Sequence, residues 1–160
     1  MQMATYMDLG ILEYTHGNYV FSVNFLRKAK NLALKLENMK FFAYLVYLYG
    51  SALNSLGNYK EAEKNYLKVI QLYKEQQDEI SVINVYDALG SVYLKTGNLH
   101  KAEVNFLLAL QYAKNHNIST SMSGICINLA NLYLIEGKPN QVSNFLHEAK
   151  KFTENNVEDN

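Results

Sequence analysis

Four histidines and one cysteine are the side chains of this chain best suited to holding a metal or attacking a substrate. His16, His100, His116 and His147 are scattered, and none has another His or Cys at ligand spacing. Cys126 lies among Ile125, Ile127 and Leu129, the setting of a buried, inert thiol rather than a nucleophile. No GxxxxGK or GxGxxG loop is present to cradle a phosphate. The run Ser121-Met122-Ser123-Gly124 opens a helical segment with no partnering base, so it is assigned to helix capping. Nucleophile, base and oxyanion donors do not converge anywhere, so the chain is expected to be no enzyme and to need no metal or other cofactor. What remains is recognition chemistry, carried by tyrosines, amides and hydroxyls.

The bulk composition agrees. The 160 residues are 49% hydrophobic and 19% charged, enough apolar material for a packed core and too much for a disordered chain. A formal charge of +0 argues against nucleic acid as a partner. One cysteine builds no internal disulfide and fits a reducing compartment. No apolar run has the length of a membrane span, and MQMATYMDLG lacks the features of a signal peptide. A cytoplasmic protein without membrane contact is the expectation.

The elements that position the recognition groups repeat. Gly17, Gly57, Gly97 and Gly137 stand 40 residues apart, each ahead of an apolar helical segment. Aligned on them, the chain divides into eight segments: about Met3–Thr15 and Tyr19–Glu37, Phe41–Leu56 and Tyr59–Gln76, Ile80–Thr96 and Leu99–Asn115, Thr120–Glu136 and Pro139–Glu154. A small residue, Gly10, Gly50, Gly90 or Ala130, recurs in each first helix. A mid-helix glycine costs about 1 kcal/mol relative to alanine, so its recurrence needs a steric reason, which close approach of the second helix supplies. Ala29, Val69, Ala109 and Ala149 are expected to face these small sites, with Leu26, Tyr66, Phe106 and Leu146 filling the space around them. Gly17, Gly57 and Gly97 suit the left-handed residue that ends a helix, and Asn18, Asn58 and Asn98 suit the N-cap of the next. Asn58 with Glu61 resembles a capping box, and Pro139, the only proline, fits a first helical turn.

In the third repeat Leu89-Gly90, Tyr93, Gly97, Ala102, Phe106 and Ala109 fall in the order and spacing of the tetratricopeptide repeat, which this sequence resembles along its whole length. The first and fourth copies depart from the pattern with Ser22 and Val142 where the family prefers alanine, and Tyr86 and Cys126 stand where it favours tryptophan. The 40-residue period is longer than usual and is similar to that of bacterial peptide-pheromone sensors and polarity adaptor proteins. The resemblance implies an all-α, right-handed superhelical solenoid of four helix-turn-helix repeats. These are expected at about 3–40, 41–80, 81–120 and 121–154, forming one domain over 1–154 with a frayed acidic tail over 155–160.

The resemblance also implies a concave face lined by the first helix of each repeat. The matching positions are Tyr44, Tyr47, Ser51 and Asn54 in the second repeat, Asn84, Asp87 and Ser91 in the third, and Asn128 and Asn131 in the fourth, with Met7, Asp8 and Ile11 from the first. Amides can bond a peptide backbone while tyrosines cover its side chains. The lysines and arginines of the family's carboxylate clamp are replaced by Met7, Ile11, Leu48, Asn84 and Ala88, so a chaperone tail is disfavoured. A basic stripe, Arg27, Lys28, Lys30 and Lys35 with Lys64, Lys68 and Lys74, is read as a solvated outer face. The expected function is a scaffold that binds a peptide or protein segment in this groove. The alternatives are a peptide-sensing module cut from a larger bacterial regulator and a self-assembling structural protein. Phe145, Leu146, Ala149 and Phe152 form an apolar stripe on the last helix, and Phe145 and Phe152 are the residues through which a homodimer or a missing capping segment is expected to pack.

Overall fold

The computed structural model describes residues 2–158, with side chains described through Glu154. Among these residues there are eight α-helices and no strand: α1 Gln2–Thr15, α2 Tyr19–Lys35, α3 Met39–Ser55, α4 Tyr59–Glu75, α5 Glu79–Lys95, α6 Leu99–Asn115, α7 Ser119–Ile135 and α8 Pro139–Glu158. The boundaries follow the glycine alignment within two residues, except that α8 carries helical backbone on to Glu158. Of the expected frayed tail, the side chains from 155 and the last two residues lie outside the described residues.

The helices gather into two compact units, Met1–Gln77 and Asp78–Asn160. In the first, α1 packs on α2, α2 on α3 and α3 on α4. In the second, α5 packs on α6, α6 on α7 and α7 on α8. Each unit is thus two helix-turn-helix repeats stacked through successive helices.

Each turn between paired helices solves the same problem, how to satisfy the last carbonyls of one helix within three residues. At Gly57, with φ +84°, the chain passes through the left-handed region. The amide of Gly57 donates to the Asn54 carbonyl at 3.1 Å, and that of Asn58 to the Leu53 carbonyl at 2.9 Å, the paired closure of a Schellman motif. The turns between repeats use the same bonds with Glu37 and Asn117 in the left-handed position, a conformation with a steric cost for residues that carry a Cβ. Asn98 then caps α6, its side chain accepting from the Lys101 amide at 3.2 Å, and Asn58 caps α4 in the same way at 3.4 Å. Asn18 differs: its side-chain amide donates to Glu13 and no side-chain cap bond forms. Asn98→Ala is therefore expected to cost about 1 kcal/mol and Asn18→Ala much less, a difference that paired urea titrations would read directly.

The small site in each first helix is a tight contact, with a different partner from the one expected. A Cβ placed on Gly90 would lie 2.6 Å from the Phe106 ring, one on Gly50 2.9 Å from the Tyr66 ring, and one on Gly10 2.6 Å from Leu26. The bulky side chain, not Ala29, Val69 or Ala109, sits on the glycine. A hairpin closing about Gly17 and Asn18 sets Gly10 level with the residues near Leu26, one turn short of Ala29. Leu26, Tyr66 and Phe106 are at most 1% exposed, so the glycines hold the centre of the core. In the fourth repeat Ala130 already carries the methyl group, and Leu146 is left half exposed. Phe145 there stacks on Tyr133 instead, ring centroids 5.5 Å apart. Ser22, a departure from the repeat pattern, is accommodated by a bond from its hydroxyl to the Gly10 carbonyl at 2.8 Å.

Candidate functional site

In the second unit, α5 and α7 present polar residues at helical spacing to a shared groove of about 360 Å³. Asn84 and Asp87 enter from α5, and Ser121, Gly124 and Asn128 from α7. Ile83 and Ile125, both buried, line it as well. The Asn128 amide links the two helices directly, donating to Asp87 Oδ1 at 2.8 Å. Burial pushes the Asp87 carboxyl above the ordinary carboxylate range, and the Asn128 bond only partly offsets this. Among the described residues no ion pair engages Asp87. The groove therefore offers an acceptor that is short of solvent and a neighbouring amide that fixes its direction.

Of the residues expected on the concave face of this unit, Asn84, Asp87 and Asn128 come together in the groove, while Ser91 and Asn131 do not line it. Thr120, Ser121 and Gly124 were not among the candidates, because the Ser121–Gly124 run was assigned to capping. That assignment is corrected: the N-cap of α7 is Ile118, without a side-chain cap bond. Ser123 turns the other way, to the Ala149 carbonyl at 3.1 Å. The spacing of Ser121, Gly124 and Asn128, three and then four residues, was the available signal, since it places them on one helical face. A Cβ on Gly124 would meet nothing within 4 Å, so this glycine leaves the groove open on that side.

In the first unit, Tyr47 and Ser51 line a smaller cavity of about 160 Å³ together with Ile11, Tyr14, Leu26 and Leu48. Ser51 Oγ donates to the Tyr47 carbonyl at 3.2 Å and accepts from the Tyr66 hydroxyl at 3.1 Å. Burial holds the Tyr66 hydroxyl well above the ordinary phenol value, with the Ser51 and Asn54 bonds working against that shift. Asn54 thus supports Tyr66 and does not line the cavity, and Tyr44 is 40% exposed beside neither site.

Two further reactive groups, Cys126 and His116, are occupied structurally. Cys126 is 0% exposed, and burial, followed by the Glu148 carboxylate, pushes its thiol up to about 11. Native protein at neutral pH is expected to leave Cys126 unmodified by a thiol-specific disulfide reagent, with stoichiometric reaction after denaturation. His116 pairs with Glu79 at 3.0 Å. Among the described residues no three His, Cys, Asp or Glu side chains are grouped to hold a metal, and no helix is long and apolar enough to cross a membrane. The basic stripe is less solvated than expected. Lys30 Nζ lies 4.0 Å from the Tyr49 ring centroid, Lys68 4.9 Å from that of Phe42 and Lys28 5.3 Å from that of Tyr6. Burial, then the Lys68 charge, lowers the Lys30 value. These ammonium groups rest on aromatic faces, a partial substitute for water. On α8, Phe145 stacks on Tyr133 and is partly buried, as is Phe152, while Leu146 is half exposed.

Residues 42–115 match the family model of the tetratricopeptide repeat. No curated protein matches the chain in sequence. Among solved structures, a Rap conjugation gene regulator from a plasmid, in complex with a Phr peptide, is 22% identical with a TM-score of 0.83, over 93% of this chain and 42% of its own. Aspartyl phosphate phosphatase F from Bacillus subtilis is 12% identical with a TM-score of 0.88, over 98% of this chain and 42% of its own. A Rap protein complexed with competence and sporulation factor is 15% identical with a TM-score of 0.83, over 94% and 43%. The chain spans less than half the length of these proteins, and at such identities the likeness is one of fold. The match to the tetratricopeptide repeat model covers residues 42–115, and similar helix pairs continue on either side of it among the described residues.

Proposed function

We propose that the chain is a non-enzymatic binding scaffold for a peptide or an extended protein segment, with the α5–α7 groove as its polar contact site. The observation that carries this reading is the Asp87–Asn128 pair. A carboxylate raised by burial and an amide fixed beside it supply oriented acceptors and donors, as an extended backbone with a positively charged group requires. Asn84, reaching the same groove from α5, adds a second amide. One of the similar folds is a complex with a Phr peptide, which supports peptide as the ligand class, and another is a complex with competence and sporulation factor. The phosphatase named among them lends this chain no activity, because at 12% identity the likeness is one of fold.

Tyr44, Tyr47, Ser51, Asn54, Ser91 and Asn131 are proposed to extend the binding face within their own units. Selection of a random-peptide display library on the purified chain, with Asn128→Ala as the control, tests the reading. Enrichment that is lost in the variant supports it, whereas equal enrichment on both proteins removes the groove from the binding site.

A further inference from the structure

We infer that the first unit holds an apolar anchor pocket that takes one leucine- to phenylalanine-sized side chain of a peptide bound to that unit, a statement that rests on the peptide-binding reading above. The pocket is the cavity of about 160 Å³ lined by Ile11, Tyr14, Leu26, Tyr47, Leu48 and Ser51. Its size decides what fits: a cavity of about 150 Å³ with aliphatic walls stays dry and admits benzene. A phenyl or branched aliphatic group matches that space, and an indole does not.

The lining decides the chemistry. Its polar atoms are turned to one another: Ser51 Oγ both donates to the Tyr47 carbonyl and accepts from Tyr66, and the Tyr14 hydroxyl accepts from Ser55 Oγ at 3.2 Å. A trapped water needs two to four polar partners, and these groups are already engaged, so the pocket presents carbon to its occupant. One wall is Leu26, held 1% exposed by its seat on Gly10. The glycine contact that builds the hairpin therefore also shapes the pocket. Tyr47 and Ser51 make it continuous with the binding face proposed for this unit.

The test uses the full chain and two readouts. In buffer containing benzene, the methyl resonances of Ile11, Leu26 and Leu48 are expected to shift saturably, and Leu48→Trp, which fills the space, is expected to abolish the shift. Ile11→Phe serves as a second filling variant, and a cooperative melt shows that each has folded. Peptides selected from the display library are expected to share one Leu, Ile, Met or Phe at a fixed position. Replacing it with alanine should weaken binding about tenfold or more, as expected for burying such a side chain. Loss of that preference in Leu48→Trp supports the pocket. Absence of methyl shifts overturns it, as do selected peptides without an apolar position that bind Leu48→Trp unchanged, and both leave the peptide-binding reading standing. Benzene binding by a chain that selects no peptide at all overturns both the anchor role and that reading.

Discussion

Gly90→Leu is expected to destabilise the protein by about 3 kcal/mol, at the upper end of overpacking costs, and to lower the melting temperature by roughly 6–12 °C. The first added carbon alone would lie 2.6 Å from Cδ1 and Cε1 of Phe106. That ring is 0% exposed and has no solvent to move into. Gly90→Ala is a milder form of the same test: the gain in helix propensity, about 1 kcal/mol, acts against the clash. Combined with Phe106→Leu, the alanine substitution should lose most of its cost, since residues in direct contact do not add independently. Gly124→Ala is the control. With nothing within 4 Å of the new methyl group, it should stabilise α7 by about 1 kcal/mol, while narrowing the groove. Thermal melts of the four variants separate the steric effect from propensity. Equal melting temperatures for Gly90→Leu and the parent would sink the contact as described.

Asp87→Asn is expected to separate stability from binding. An asparagine oxygen still accepts from Asn128, and the charge that burial disfavours is gone. Because the Asp87 value is raised in the folded chain, its stabilising contribution is full below the ordinary value of 3.8 and is lost as pH climbs through the raised value. Above the raised value the ionised carboxylate therefore costs stability, and there the variant should melt at or above the parent temperature, with the difference vanishing in acid. Affinity for selected peptides should fall by about 10–100-fold, as expected for losing a hydrogen bond to a charged group. Parent affinity should also weaken as pH drops through the raised Asp87 value, and the variant should show no such pH dependence. Stabilisation with loss of function is the trade expected of a binding group held in an unfavourable setting. Isothermal titration across pH, paired with melts, reads both halves, and unchanged affinity in the variant would remove Asp87 from the site.

Which parts of this were legible from the residues alone follows from the range of the forces involved. The left-handed glycines, the asparagine caps and the 40-residue period are local, since each depends on the conformation of a few consecutive residues, so every helix end but that of α8 fell within two residues of its expected place. The recurrence of Gly10, Gly50 and Gly90 disclosed that helices approach closely there. It did not disclose what they approach, because a one-turn offset between Ala109 and Phe106 changes nothing in the spacing pattern and everything in the contact. Asn84, Asp87 and Asn128 could be placed on inner helical positions from their numbers. Their meeting could not, because α5 and α7 are separated by the whole of α6.

The sequence by itself therefore determined the repeating helix pairs, their turns and the polar residues at the matching positions of the first helices, all properties of short-range geometry. Only the tertiary structure decided that Asn128 bonds Asp87, that Leu26 sinking onto Gly10 walls a cavity, and that Ser121 and Gly124 line a groove rather than cap a helix. Those outcomes depend on how far and at what angle one helix lies from another, which is set by side-chain volumes summed over the core.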